Sequence, residues 1–290
     1  MQLKKPATFE EQIEILRQKG IEIDDEDGAK NALITTNYYL LKGYLLKYKD
    51  KTSGKYVNPP TFSHICDLYH FDCELKNHYL YATVPVEQGI KNVIAYVIAM
   101  ANVDNPAIYK EESFFSDKTD HERFLGEFNR IVGSRRKTPF VTHHMEKYDG
   151  EFPIWVAMEL FTLGNTQSLY KNMPRSLRKE VARVFGTSPD VFYNWIDNIR
   201  KTRNIAAHNS RLYDVSLPYS PKHSKEFDKS LPLTKKVFDQ FYLLQIIHPH
   251  TKTWNSIMTS LNTLFNAYDE IIELDSIGFP KNWKDFLVRK

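Results

Sequence analysis

The segment of residues 188–213 constrains the fold more than any other part of the sequence. It opens with Ser188, Pro189 and Asp190, an order of cap residue, proline and acid that is typical of a helix start. Apolar residues then recur at the spacing of one helical face: Phe192, Trp195, Ile199, Ala206 and Tyr213. The pattern predicts an amphipathic helix over about residues 189–212 that packs through this face.

The opposite side of this helix collects cationic, amide and imidazole groups. At about 100° per residue, one side is shared by Arg200, Arg203, Asn204, His208 and Arg211. Histidine exchanges protons near neutral pH, whereas arginine keeps its proton and binds phosphate oxygens through a planar fork. We therefore interpret residues 203–208 as the functional segment of the chain, with groups that suffice for RNA cleavage without a metal ion.

The composition favours packed helices and gives no overall bias toward nucleic acid. The 290 residues carry a net charge of only +3, so an RNA-binding hypothesis depends on local clusters of Lys and Arg. Aromatic residues make up 13% of the chain, glycines number only 11, and no long stretch alternates between polar and apolar residues. These features predict an all-α fold in one domain over residues 1–290.

Cysteine usage and hydropathy indicate a reducing, non-membrane environment. Cys66 and Cys73 are too few and too close for a disulfide framework or a cysteine-rich zinc site, so we expect reduced thiols in the core. The N-terminus lacks the apolar stretch of a signal peptide, and the longest apolar run, residues 93–101, is too short to span a bilayer. We expect a cytoplasmic protein that does not enter the membrane.

Caps and periodicity divide the remaining chain into helices. Thr8 and Glu11 form the pattern of a capping box, and Asp24 is the expected cap of a second helix. Helical periodicity also covers residues 63–71, 85–101, 113–136, 154–161, 176–185, 236–247 and 254–274. Pro85 is expected to begin a buried central helix, and Pro139 to follow the end of the helix before it.

Several motifs, taken in order, resemble those of one bacterial family. Residues 203–213, Arg-Asn-x-x-Ala-His-x-x-Arg-Leu-Tyr, are similar to the C-terminal signature of abortive-infection (Abi) proteins of the AbiD/AbiF type, which belong to the HEPN superfamily. Residues 5–20 resemble the family's opening helix, residues 37–44 its tyrosine motif, and residues 152–164 its central Pro-x-Trp-x-x-x-Glu segment.

The resemblance implies a fold, an assembly and an activity. The fold would be a HEPN-like helical bundle with additional N-terminal and C-terminal helices, divided into an N-terminal region (1–80) and a HEPN-like core with C-terminal helices (81–290). The Arg-Asn…His groups of a homodimer would face one another across a cleft. Such proteins act as metal-independent ribonucleases or RNA-binding toxins in phage defence, some are restrained by a small structured RNA, and no cofactor is implied.

Within this hypothesis each motif residue receives a role. His208 is the acid–base group, Arg203 stabilises the phosphorane-like transition state, and Asn204 orients the phosphate or the imidazole. Attack by the ribose 2′-hydroxyl would leave a 2′,3′-cyclic phosphate and a 5′-hydroxyl. Further RNA contacts are expected from motif residues and from two basic clusters: Arg200, Arg211 and Tyr213, then Arg135, Arg136 and Lys137, and Arg175, Arg178, Lys179 and Arg183.

Two positions depart from the family pattern. Leu40 stands in the tyrosine motif where a basic residue is expected, and Lys91 stands on the central helix where arginine is usual. Lysine does not reproduce a bidentate arginine contact. Glu87 precedes Lys91 by one helical turn, which predicts an ion pair that supports the site.

Other interpretations stay open at this point. Glu159 is expected to be a buried carboxylate paired with a core arginine, in preference to a direct catalytic role. His143 and His144 near Glu146 lack a third ligand at zinc spacing, so no metal site is predicted. The protein would alternatively be a non-catalytic RNA-binding regulator that uses the same basic face, or, less favoured, the partner or substrate of a nucleotidyltransferase.

Overall fold

A computed structural model describes residues 5–225, 227, 231 and 233–289 of the chain. Helices dominate this part of the molecule and no β-strand forms in it, which confirms the predicted all-α class. The α-helices are α1 (Phe9–Gln18), α2 (Glu26–Thr35), α3 (Tyr38–Tyr44), α4 (Phe62–Ala101), α5 (Lys118–Ser134), α6 (Pro139–Lys147), α7 (Ile154–Ala157), α8 (Leu163–Asn172), α9 (Arg175–Val184), α10 (Pro189–Ala207), α11 (Val237–Ile247), α12 (Thr251–Ala267) and α13 (Trp283–Leu287).

The centre of the fold is α4, a single helix of 40 residues. Helices α3, α7, α9, α10, α11 and α12 all pack against it. The expectation that Pro85 begins a separate helix is wrong, because Pro85 lies inside α4. Proline in a helix costs roughly 3 kcal/mol, but buried side chains continue on both sides of it, from Phe62 to Ile98, and hold the helix together.

The boundary placed between residues 80 and 81 also falls inside α4, so the N-terminal region and the core share one continuous helix. The C-terminal half of α4 is not buried all round as predicted. Tyr96 is 66% exposed and Met100 is 59% exposed, although Ile94 and Ile98, two residues before each of them, are fully buried. None of the described helices is both long enough and apolar enough to cross a membrane.

The N-terminal helices form a small layer on the first half of α4. The predicted capping box of α1 is present, since Thr8 accepts from the Glu11 amide and Glu11 accepts from the Thr8 amide. Asp25, not Asp24, caps α2 by accepting from the Gly28 amide. Asp24 instead accepts hydrogen bonds from Ser63 in the first turn of α4. Helix α2 packs on both α1 and α4, and this layer thereby joins the core.

The middle of the chain wraps around α4 and α10. Helix α5 is shorter than predicted, and Pro139 occupies the first turn of α6, where its missing amide is not needed. The helix predicted over residues 154–161 is only one turn, α7, and the chain restarts as α8 at the Thr162 cap. Helices α8 and α9 both pack on α10, and α10 in turn packs on α4.

Candidate functional site

Helix α10 ends at Ala207, five residues earlier than predicted. His208 is its C-cap, and Asn209 follows in the left-handed region with φ of 52°. The Ser210 amide donates to the Ile205 carbonyl (2.9 Å) and the Asn209 amide donates to the Ala206 carbonyl (3.2 Å), which together form a Schellman motif. His208 therefore lies at the end of the helix, and the chain turns away immediately after it.

Contacts with α4 explain why the helix stops here. Asn209 accepts a hydrogen bond from Lys76 at 2.5 Å and donates one to the Tyr69 hydroxyl at 3.1 Å. Asparagine tolerates the left-handed conformation better than most residues, and these contacts fix its side chain. The end of α10 is thus determined by contacts with residues more than 130 positions away in the sequence.

A buried carboxylate holds the next residues. Asp72 is fully buried and accepts hydrogen bonds from the Leu212 amide (3.1 Å), the Tyr213 amide (2.9 Å) and the Tyr44 hydroxyl (2.7 Å). Lys76 lies 3.5 Å from the same carboxylate and is itself buried. Burial, and then the charge of Asp72, raise the pKa of Tyr44 far above its usual value. We call Asp72, Lys76, Asn209 and Tyr44 the buried polar cluster.

Three motif side chains remain on the surface at the end of α10. Arg203 and His208 are exposed and Asn204 is half-buried, and all three lie within the last turns of α10 and its C-cap. Among the described residues, the Arg203 guanidinium donates a 3.4 Å hydrogen bond to the Asn204 side chain. The imidazole of His208 forms no hydrogen bond or ion pair with any described residue. Their donors and acceptors are therefore available to a ligand.

Arg200 also lies on α10 but is already engaged. It donates to the Gln167 side chain at 2.6 Å and to Asp197 at 2.9 Å, and Lys201 also pairs with Asp197. Burial alone would raise the pKa of Asp197, but hydrogen bonds from Lys201, Gln167 and Arg200 bring it below its ordinary value. Arg200 thus joins α10 to α8, and most of its positive charge is balanced by Asp197.

Arg211 does not lie on the helical face where it was predicted, because α10 ends before it. Its Nη1 atom donates to the Gly43 carbonyl at 2.6 Å, and its guanidinium lies 5.7 Å from the centre of the Tyr44 ring. The arginine therefore binds the C-terminal end of α3. This contact joins the tyrosine motif to the segment after His208.

Tyr213 belongs to the core and not to the surface. Only 2% of it is exposed, its ring meets Phe71 edge to face at 5.9 Å, and its hydroxyl accepts from the Glu273 amide. The apolar role predicted from the helical pattern agrees with this burial, although Tyr213 lies beyond the helix. A nucleic-acid base has no access to the ring in this position.

Comparison with known protein families now identifies the chain. A family model described as Abi-like protein matches residues 31–214, from within α2 to the residue after Tyr213. The chain belongs to the Abi-like protein family. This membership suggests a role in abortive infection, a defence against phage. No curated protein and no solved structure matches the chain.

The supporting acidic residues of this Abi-like protein lie apart from His208. Glu87 and Lys91 form the predicted ion pair at 3.0 Å. Glu87 lies 11 residues beyond Lys76 on α4, which is roughly 16 Å along a helix axis. The ion pair is therefore distant from the exposed end of α10 within one chain.

Glu159 is not the buried partner of a core arginine. The residue is exposed, and its carboxylate accepts a 3.3 Å hydrogen bond from the Gln88 side chain of α4. The prediction was wrong because α7 is a single turn that ends at Ala157, so Glu159 does not continue the buried face of Ile154 and Ala157.

The two basic clusters of the Abi-like chain are largely exposed. Arg175, Lys179 and Arg183 are exposed at intervals of four residues along α9, whereas Arg178 is half-buried. We call these three residues the basic stripe of α9. The other cluster, Arg135, Arg136 and Lys137, is exposed between α5 and α6. Because α9 packs on α10, the basic stripe belongs to the same part of the fold as the motif helix.

His144 of the pair His143 and His144 has structural contacts. His144 stacks on Phe152 with ring centres 5.2 Å apart and bonds the Glu151 carbonyl at 2.9 Å. Among the described residues, no group of three or more His, Cys, Asp or Glu side chains is placed to hold a metal ion. Cys66 and Cys73 are free thiols as expected, but both are half-buried and not fully in the core, and burial raises the pKa of Cys66 to about 12.

The buried polar cluster was missed at the level of sequence. Asp72 and Lys76 are spaced as a helical ion pair, but they lie on the same side of α4 as Leu68, Leu75 and Tyr79, which are buried. A charged pair on an apolar helical face is a signal for a buried network, because isolated charges are too costly to bury. That signal was present in the sequence and points to the residues that position His208.

Proposed function

We propose that this Abi-like protein is a metal-independent endoribonuclease of the HEPN type that acts in abortive infection. The observation that carries the proposal is the exposure of both Arg203 and His208 in the last turns of α10, with the imidazole free of contacts to described residues. A histidine in that position is available to move protons, and an exposed guanidinium is available to bind phosphate.

The chemistry requires only these side chains and the RNA. His208 accepts the proton of a ribose 2′-hydroxyl as the oxygen forms a bond to phosphorus, and the bond from phosphorus to the 5′-oxygen breaks. The protonated imidazole gives this proton to the 5′-oxygen as it leaves, and the products are a 2′,3′-cyclic phosphate and a 5′-hydroxyl. Arg203 neutralises the charge that develops on the phosphate oxygens, and Asn204 orients the phosphate or the imidazole.

The local structure favours this assignment. His208 is the C-cap of α10, and its side chain lies at the surface. The buried polar cluster fixes the next residue, Asn209, so the backbone of His208 is held although its side chain is free. We now assign Arg200 and Arg211 to positioning, because Asp197 and the Gly43 carbonyl already engage them. Tyr213 is left out of the RNA surface.

The direct test is cleavage of RNA in the presence of EDTA by the purified protein and by two variants. His208→Ala is expected to lower the cleavage rate by about 100-fold or more, because general acid–base catalysis contributes roughly 10²–10⁴-fold. Arg203→Lys keeps the charge but loses the planar fork, so it is expected to lower the rate as well. The products are identified by end-group analysis as a cyclic phosphate and a 5′-hydroxyl.

His143→Ala is the matched control, since His143 is an exposed histidine on α6, outside the motif helix. It should cleave at the wild-type rate. The proposal fails if wild-type protein does not cleave RNA in this assay over a panel of cellular and phage transcripts, or if His208→Ala cleaves as fast as His143→Ala.

The proposal includes a homodimer in which the motif residues of two chains build one site. In the proposed shared site, one chain supplies the phosphate-binding Arg203 and its partner supplies the acid–base group His208. Mixing the Arg203→Ala and His208→Ala proteins should restore activity if one chain supplies the arginine and its partner the histidine. Light scattering measures the mass of the mixture, and persistent inactivity of a mixed dimer would contradict the shared site.

A second candidate function is RNA binding without cleavage, favoured by the basic stripe of α9. Its three exposed cations follow one helical face, an arrangement suited to a phosphate backbone or to a small structured RNA that restrains the protein. In that case Arg175→Ala and Lys179→Ala should each reduce the salt dependence of RNA binding, and His208→Ala should leave both binding and toxicity unchanged. Toxicity without a catalytic histidine separates the two functions.

A further inference from the structure

A cavity of about 370 Å³ lies between α1 and α3, apart from the exposed motif residues. Its walls combine lysines with aromatic rings: Lys5, Lys19 and Lys42, and Phe9, Tyr38 and Tyr39. This volume lies within the range of small-molecule sites in proteins, which is roughly 300–1,000 Å³. The proposed ribonuclease chemistry assigns no role to this cavity.

The charge of the lining selects for an anion. Three lysines contribute to the walls, and none of the described lining residues is acidic. Lys5 and Lys19 come from the N-terminal side and from the end of α1, whereas Lys42 comes from α3. Lysines thus contribute to the cavity lining from both the α1 and the α3 side, a composition that suits a phosphate group.

The aromatic residues offer a surface on which a planar ring stacks. Tyr39 is 71% exposed, and its ring meets that of Tyr38 edge to face at 5.7 Å. Lys42 lies 5.1 Å from the centre of the Tyr39 ring and 5.2 Å from that of Tyr38. A cation therefore lies directly beside an exposed aromatic face, which matches the neighbouring phosphate and base of a nucleotide.

Two amides on the cavity wall complete the pattern. The Asn37 side-chain oxygen caps α3 by accepting from the Tyr39 amide, which leaves the amide nitrogen to donate. The Gln12 side-chain nitrogen donates to the Ala7 carbonyl, which leaves the amide oxygen to accept. A donor and an acceptor at the wall are the groups that the polar edge of a base requires.

We propose that this cavity binds a nucleotide, with the base stacked on Tyr39 and the phosphate held by Lys5, Lys19 and Lys42. The nucleotide comes either from solution or from an unpaired position of a bound RNA, since the recognised chemistry is the same. The site does not depend on cleavage at His208. Arg211 binds the carbonyl of Gly43, the neighbour of Lys42, so the wall of the cavity is joined to the segment after the motif.

The test measures binding of 5′-AMP, inorganic phosphate and a five-nucleotide single-stranded RNA to the full-length His208→Ala protein by calorimetry. Tyr39→Ala is expected to weaken binding of the nucleotide unit by about 5- to 100-fold, the range that corresponds to loss of one base–aromatic stack. Lys42→Gln is expected to weaken it as well. Tyr96→Ala is the matched control, because Tyr96 is similarly exposed on α4.

The two probes, 5′-AMP and the RNA, distinguish a nucleotide from solution from one within a bound RNA. Tyr39-dependent binding of 5′-AMP supports a nucleotide from solution, and Tyr39-dependent binding of the RNA alone supports a position within RNA. The proposal is overturned if neither probe binds, if inorganic phosphate binds as tightly as 5′-AMP and the RNA, or if Tyr39→Ala behaves like Tyr96→Ala. Circular dichroism confirms that each variant is folded. Because the background lacks His208, failure here leaves the cleavage assay of the wild-type protein unaffected.

Discussion

Lys76 and Asn209 are joined by a 2.5 Å hydrogen bond between a buried ammonium group and a side-chain amide oxygen. The amide belongs to the residue directly after His208, and the lysine belongs to the central helix α4. The position of the exposed histidine therefore depends on a charge inside the core. Changes to that charge should be visible both in stability and in the proposed activity.

Asn209→Ala should destabilise the protein by about 3 kcal/mol, because it removes two hydrogen bonds and places a less tolerant residue at positive φ. Asn209→Gly loses the same hydrogen bonds, but glycine adopts the left-handed backbone conformation without strain. Its loss of stability should therefore be smaller by about 1 kcal/mol. Urea unfolding followed by circular dichroism measures both. Equal losses would show that the left-handed turn is not maintained in solution.

The Asp72–Lys76 pair should behave as a coupled unit. Asp72→Leu leaves a buried ammonium group without its carboxylate and should cost roughly 3–5 kcal/mol. The double variant Asp72→Leu/Lys76→Met should lose less than the sum of the two single variants, by about 1–3 kcal/mol. The exposed pair Glu10–Lys30 is the control, and its coupling should be much weaker than that of the buried pair. Additive losses at Asp72 and Lys76 would contradict a buried network.

His248 should make the protein less stable in mild acid. Burial, and then the charge of Arg289, lower the pKa of His248 to about 4 from a usual value of 6.5. The unfolded chain therefore binds a proton at a higher pH than the folded one, so stability is full above pH 6.5 and falls as the pH approaches 4. The loss should reach roughly 2–3 kcal/mol.

Unfolding at pH 7.5 and at pH 4.5 tests this dependence. His248→Gln should lose less stability between the two values than the wild type does, whereas His250→Gln, at an exposed neighbour, should match the wild type. An identical dependence in all three proteins would assign the acid sensitivity to other groups.

The variant Arg211→Ala tests whether Arg211 positions neighbouring residues or contacts phosphate. Arg211→Ala should lower stability by about 1–2 kcal/mol, because the Gly43 carbonyl loses its donor and the Tyr44 ring loses its cation. The salt dependence of RNA binding should keep its slope in this variant. Arg175→Ala, in the basic stripe of α9, should instead leave stability unchanged and reduce the slope by about one. A reduced slope for Arg211→Ala would return it to the RNA surface.

Local signals in the sequence were sufficient for much of the fold. Thr8 and Glu11 gave the start of α1, and Ser188 with Pro189 gave the first residue of α10, although the Ser188 side chain makes no capping bond. Burial of Phe192, Trp195 and Ile199 followed from periodicity alone. These features depend on residues within a few helical turns of one another, which is why the sequence predicts them.

Features set by distant contacts were not predictable in the same way. The end of α10 depends on Lys76 and Tyr69, and the continuity of α4 through Pro85 depends on packing against several helices. The exposure of Arg203 and His208 followed from the sequence, but the hydrogen bond from Arg200 to Gln167 did not. A helical projection shows the direction in which a side chain leaves its own helix. It does not show whether the hydrogen-bond donors of that side chain are already bonded to a neighbouring helix.

The hydrogen bonds from Leu212 and Tyr213 to Asp72 have a consequence for synthesis of the protein. They join positions about 140 residues apart, which the ribosome makes roughly 7 to 28 s apart at about 5–20 residues per second. Throughout that interval the turn that positions His208 does not exist. A nascent chain therefore carries no assembled site until the segment that contains Leu212 and Tyr213 has been made.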